Sequence, residues 1–199
     1  MKYSVGILLF NEVEVLDFAG PFEVFSITTI DDQGTKGFDV FTISQNPGAV
    51  SARNGLKVLA DKRLTDVDTL DILIVPGGYG AEKIEIHNTK VLEWIARIST
   101  STKITASVCT GAFLLAKAGL LKGLNATTHW MDLDDLETNY PDITVCRNVN
   151  YVDNGHFVTS AGISAGIEMS LHLVNRLFGK DIALKTAKRM EYRINPDSI

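Results

Sequence analysis

The chain has 199 residues, 45% of them hydrophobic and 22% charged, with a formal net charge of −5, which suits one globular domain with a full core. The acidic balance and the absence of a Lys/Arg run argue against a nucleic-acid surface, which needs a basic face. No apolar stretch reaches the ~20 residues of a membrane span, and the short run Val5 to Phe10 ends at Asn11-Glu12 without a signal-peptide cleavage site, so a soluble, cytoplasmic protein without membrane contact is expected.

Ser4 to Phe10 reads as a first strand, Asp17 to Thr28 as the helix after it, and Phe38 to Ser44 as a second strand. Val50 to Ala60 reads as a hairpin, because Asn54-Gly55 supplies the positive φ angles of a tight turn. Asp71 to Pro76 is a nearly uninterrupted apolar strand, as expected where helices cover both faces of a parallel sheet. A helix over Lys90 to Ser99, a strand over Ile104 to Val108 and a helix over Gly111 to Lys117 follow. Asn125 to Thr128, Asp142 to Cys146, Asn148 to Val152 and His156 to Ser160 read as short strands, the last two joined by the turn Asp153-Asn154-Gly155. Met131 to Asn139, Ile163 to Phe178 and Asp181 to Arg193 read as helices, with Gly179 as a C-cap between the last two. The alternation predicts a three-layer α/β fold with a mostly parallel sheet, residues 1–199 forming a single domain. Chemistry in such sheets gathers beyond the carboxyl ends of the strands.

Cys109 stands at one such end, in Ser107-Val108-Cys109-Thr110-Gly111. Small residues on both sides of it fit a nucleophile elbow, a sharp strand-to-helix turn that exposes its central side chain. The N–H groups at the following helix start favour a thiolate. A buried structural cysteine is the other reading, and it stays open at this point. Cys146, in a strand-like setting, reads as structural; with no export signal both thiols are expected reduced. His87, His129, His156 and His172 are scattered, and no Cys-x-x-Cys or His-x-x-x-His spacing occurs, so neither a metal nor a cofactor is expected.

Three other segments end strands and can face Cys109. In Pro76-Gly77-Gly78 the backbone can approach a ligand closely, and the amides of Gly78 and Thr110 are candidate oxyanion donors; the plain alternative is a strand-exit turn. Asp17, between Leu16 and Phe18, reads first as an N-cap. Set against a thiolate it would instead have a raised pKa and serve as a general acid. In Thr127-Thr128-His129-Trp130, His129 can orient or protonate substrate and Trp130 can wall a pocket, or both can serve the core.

Taken together, Phe10-x-x-Val13-x-x-Leu16-Asp17-x-x-Gly20-Pro21, Pro76-Gly77-Gly78, the Cys109 elbow, Ala126-Thr127-Thr128-His129-Trp130 and Ser160-Ala161-Gly162-Ile163-Ser164-Ala165-Gly166-Ile167-Glu168, in this order, resemble the ThiJ/PfpI superfamily. That superfamily has a fold like the class I glutamine amidotransferases. Within it the likeness is greatest to the isonitrile hydratase group and to the ligand-binding domains of AraC-type regulators. The resemblance implies a flavodoxin-like sandwich, usually homodimeric, with Cys109 as the reactive thiol and Asp17 where other members keep a glutamate. It also implies that Gly78 and Thr110 bound an anion site and that the turn containing Gly162 shapes the pocket. Peptidase members place His after the nucleophile; this chain has Thr110, so peptidase activity is not expected.

The function the resemblance implies is isocyanide hydration by Cys109 and Asp17 without a cofactor, acting on a small electrophilic substrate. Two alternatives accompany it. One is a glutathione-independent glyoxalase or deglycase, with His129 assisting proton movement; the other is a non-catalytic small-molecule or redox sensor. The chain closes with Ile194-Asn195-Pro196-Asp197-Ser198-Ile199, which leaves no room for a helix-turn-helix module, so direct DNA reading is not expected.

Overall fold

The computed structural model describes residues 2–195; the last four residues of the tail considered above lie outside them. The first half runs β1 (Tyr3–Leu9), α1 (Val15–Ile27), β2 (Phe38–Ser44), β3 (Ala49–Ser51), β4 (Lys57–Leu59), β5 (Lys62–Arg63), β6 (Ile72–Val75), α2 (Tyr79–Lys83) and α3 (Thr89–Ser99). Next come β7 (Ile104–Val108), α4 (Gly111–Lys117), β8 (Asn125–Ala126), α5 (Leu133–Asn139), β9 (Thr144–Val145), β10 (Tyr151–Asp153), β11 (Phe157–Ser160), α6 (Ala165–Phe178) and α7 (Lys180–Arg189).

Seven strands form one sheet in the order β10-β11-β7-β6-β1-β2-β5, parallel throughout except where β10 turns back along β11. Its parallel core, β2-β1-β6-β7-β11, has the 2-1-3-4-5 order of flavodoxin-like sheets. The uninterrupted apolar runs are explained by cover on both faces: every residue of β6 and β7 is buried. Helices α1, α6 and α7 pack together on one face, and α2, α3 and α4 on the other. Helix α3 shows how sequence produces this. Val91, Trp94, Ile95 and Ile98 recur at helical spacing and are buried, and the Asn88 side chain caps the start by accepting the Val91 N–H at 3.4 Å. Phe25 of α1 meets Phe38 of β2 edge-on at 4.8 Å between ring centres, and Phe178 of α6 closes on the same ring at 5.3 Å. No helix among the described residues is long and apolar enough to cross a membrane.

Most expected elements are present, and the departures have local causes. The hairpin forms between β3 and β4, with Asn54 and Gly55 at φ of 60° and 90°, but its turn is a short 3-10 helix closed by Ala52 N–H to Leu56 C=O at 2.8 Å. The strand expected over Asn125 to Thr128 stops at Ala126. Side chains take over there: the Thr127 N–H donates to Thr159 Oγ1 at 2.9 Å, and Thr128 Oγ1 to the Cys109 carbonyl at 2.8 Å. The last helix ends at Arg189 rather than Arg193, and Glu191 follows with φ of 53°. Gly179 does cap α6, at φ of 90°. The short helix α2 was not expected.

Candidate active site

The site lies beyond the carboxyl ends of β1, β6 and β7, beside the β1–β6 border where the strand order reverses. Cys109 follows β7 directly and has φ of 55°, a left-handed conformation that costs a non-glycine residue about 1–3 kcal/mol. Neighbouring groups pin it. Its N–H points at the carbonyls of Ser160 and Ala161, at 3.2 and 3.4 Å, and its carbonyl accepts from Thr128. The thiol is 6% exposed and borders a cleft of about 420 Å³ that also touches Gly78, Thr110 and His129.

Asp17 is not an N-cap. The helix begins two residues earlier, at Val15, and Asp17 sits in its first turn with its side chain turned inward. Oδ2 accepts the Gly77 N–H at 3.0 Å, while Oδ1 is buried without a hydrogen-bond partner. Burial is the main force on this carboxyl, with the charge of Glu14 acting the same way. Against the Gly77 N–H and the Cys109 thiol they push its pKa up to about 7.

The expectation that the helix start would favour a thiolate is corrected here. Burial and the adjacent Asp17 charge outweigh the Thr110 N–H and hold the Cys109 thiol far above its ordinary range. The two groups therefore titrate as a pair. One proton leaves near pH 7, and the other stays on well into alkaline conditions, so between them the pair carries one proton and one negative charge.

The anion-site geometry also differs in part from expectation. Gly78, at φ of 113°, donates its N–H to Thr110 Oγ1 at 2.9 Å, so this amide is already engaged. The Thr110 N–H acts on the Cys109 sulfur instead. Gly162 separates two reactive groups: a Cβ there would overlap His129 Cδ2 and lie 3.0 Å from Cys109 Sγ. A glycine there leaves room for the imidazole edge on one side and the sulfur on the other. His129 Nδ1 is 3.3 Å from Asp132 Oδ2 and 3.4 Å from the Met131 nitrogen. Nδ1 accepts the Met131 N–H, and the Asp132 carboxylate lies beside it. Trp130 does not wall the pocket; it is 74% exposed, and Met131 lines the cleft in its place. Among the described residues no group of three or more His, Cys, Asp or Glu is placed to hold a metal ion.

The sequence model of the DJ-1/PfpI family matches residues 3–176. The chain belongs to this family. Isonitrile hydratase from Pseudomonas putida is 33% identical over 196 residues, covering 98% of this chain and 81% of that enzyme. The HTH-type transcriptional regulator CdhR of Pseudomonas aeruginosa is 30% identical over 155 residues, 77% of this chain, and the match spans 45% of the regulator. A crystal structure of a ThiJ/PfpI family protein from Pseudomonas syringae superimposes with a TM-score of 0.87 at 25% identity, covering 98% of this chain and 77% of that one. Enzymes and regulators thus share this DJ-1/PfpI domain.

Sequence reasoning missed four charged residues that line the cleft: Glu14, Arg53, Glu82 and Asp132. Only one had a readable signal, the His129-x-x-Asp132 spacing that brings both side chains to one side of a turn. Arg53 arrives on the hairpin tip, which is tied to the loop after β1 by Glu12 N–H to Ser51 C=O at 2.8 Å and Arg53 N–H to Val13 C=O at 3.0 Å. Glu82 arrives on α2.

Proposed function

We propose that this DJ-1/PfpI protein is a cysteine-dependent enzyme of the isonitrile hydratase type, adding water to an isocyanide to give an N-substituted formamide. The carrying observation is the elbow pair: a strained, buried thiol beside a carboxyl group whose pKa lies near 7 and which no cation neutralises. A group poised there serves as either acid or base at neutral pH. Cys109 Sγ attacks the terminal isocyanide carbon while the pair's remaining proton passes through Asp17 to that carbon, giving a thioimidate. As water adds to the same carbon, Asp17 takes one of its protons and hands it to the nitrogen. The tetrahedral adduct then collapses: its hydroxyl proton passes to Asp17, the C–S electron pair leaves on Cys109, the formamide is released, and the pair again holds one proton. The Thr110 N–H steadies charge on sulfur, and His129, held by the Met131 N–H, lies across Gly162 from the sulfur. No cofactor takes part. We take the chain as one catalytic domain, cytoplasmic and homodimeric, binding neither nucleic acid nor membrane; light scattering on the purified protein checks the dimer.

The test is turnover of a simple aryl or cyclohexyl isocyanide beside the Cys109→Ala variant. Formamide production that vanishes in the variant is expected. Absence of turnover by the native protein, with lactate formed from methylglyoxal without glutathione, would move the reaction to aldehyde chemistry.

A further inference from the structure

The cleft over Cys109 is unevenly charged. Glu14, Glu82 and Asp132 line it, with side chains 23%, 28% and 23% exposed. Arg53 is the lining residue with a permanent positive charge; it pairs with Glu14 at 3.7 Å, and His129 lies beside Asp132. Lys83 reaches Glu82 only at 4.0 Å, from a position 60% exposed. Burial, and after it the Asp132 charge, push the Glu82 pKa up against the Thr110 hydroxyl, Lys83 and Arg53. Such an arrangement is costly in the empty protein and becomes favourable when a ligand brings positive charge.

The position of the two acids is also informative. A second cleft of about 390 Å³, whose lining also carries Lys83, His87, Lys117 and Asp135, adjoins the first, and Glu82 and Asp132 are the residues common to both linings. They stand at the junction, while Cys109 occupies one arm. The Asp132 charge acts on the thiol itself, so a cation at the junction lies within electrostatic reach of the reacting atom.

We propose that the site selects an electrophile bearing an ammonium or guanidinium group, which sits between Glu82 and Asp132 while its reactive carbon meets Cys109. This deepens the reading above, resting on Cys109 as the reacting atom but not on isocyanide as the reactive group. The two are separated by a probe that reports charge alone. Aminoethyl, ethyl and sulfonatoethyl methanethiosulfonates differ in charge and share one reaction. The cysteine sulfur attacks the divalent sulfur, a disulfide bond forms, and methanesulfinate leaves with the electron pair of the broken S–S bond.

Rates at Cys109 are read by peptide mass spectrometry, with the half-buried Cys146 as an internal reference. At low salt the ammonium reagent should react with Cys109, relative to Cys146, at least about tenfold faster than the sulfonate reagent. The ratio should fall toward one in Glu82→Gln with Asp132→Asn, and partway in each single variant. A preference for the sulfonate reagent, or a preference unchanged in the double variant, would overturn the proposal. Loss of isocyanide turnover with the charge preference intact would remove the reaction class and uphold the selection. As a second readout, an ammonium-bearing isocyanide should show a lower KM than its uncharged analogue, and that advantage should disappear in the double variant.

Discussion

Asp17 is fully buried and Asp153 lies at the surface with its side chain 22% exposed, yet burial pushes both carboxyls the same way and their partners act in opposite ways. Asp153, at the end of β10, is also desolvated, but His172 Nε2 donates to it at 2.7 Å, the Gly155 N–H at 2.7 Å and Arg176 Nη1 at 3.0 Å. These partners outweigh its burial and hold its carboxyl below the ordinary range. Tyr151 stacks on His172 at 4.5 Å between ring centres and keeps the imidazole in place. Asp17 is fully buried, accepts one backbone N–H and has Glu14 and Cys109 as its electrostatic neighbours. The contrast teaches that a carboxylate's role follows from how deeply it is buried together with the partners it is given. A carboxylate that tethers β10 to α6 is given cations, whereas the one beside the thiol is left able to exchange a proton.

Conservative substitutions test the contrast directly. The largest effect is expected on catalysis: Asp17→Asn should lower turnover by about 10²–10⁴-fold, the usual worth of a general acid–base group, while Asp153→Asn leaves it unchanged. Equal losses in the two variants would dissolve the distinction. Stability should move the other way. Because the folded pKa of Asp17 is raised from 3.8 to about 7, its favourable contribution is complete below pH 3.8 and disappears as pH rises through 7. Asp17→Asn should therefore stabilise the protein at pH 8, by up to about 4 kcal/mol, with the gain vanishing near pH 4. Urea titrations at the two pH values check both sign and window.

A third measurement follows the pair itself. Alkylation of Cys109 by neutral iodoacetamide should rise through pH 7 in the native protein, as the pair loses its first proton. In Asp17→Asn the carboxyl can no longer take the thiol's proton, and the rise should move to clearly alkaline pH. A midpoint that stays near 7 would mean the thiol does not share its proton with Asp17. The smallest effect is expected at the tether. Asp153→Asn should cost about 1–2 kcal/mol of stability. The pKa of Asp153 is lowered on folding, so its contribution is present above the ordinary carboxylate pKa and is lost as pH falls through the folded value. Native and variant stabilities should thus converge in acid, the reverse of the Asp17 case.

Much of this molecule was legible in the sequence because it rests on short-range rules. β2, β7 and α4 lie where apolar runs and small residues place them, since buried parallel strands must be apolar and an elbow must be small. Cys109, Asp17, Gly78, Thr110 and His129 were readable as strand-end residues and Gly162 through the family resemblance, and they do gather in one place. The parts that were not legible depend on who meets whom. That Asp17 turns inward instead of capping depends on Gly77 being across from it, and Gly77 comes from another strand. That Gly78 spends its N–H on Thr110 and leaves the sulfur to the Thr110 amide is decided by two loops touching. Glu82 and Arg53 reach the cleft on elements with no chemical signature of their own. By itself, then, the sequence determined the strands and the elbow with a cysteine at its centre, which follow from periodicity and side-chain size. The protonation of the Cys109–Asp17 pair and the charge of the cleft were decided only by the tertiary structure, because solvation and Coulomb energies depend on distances between residues far apart in the chain.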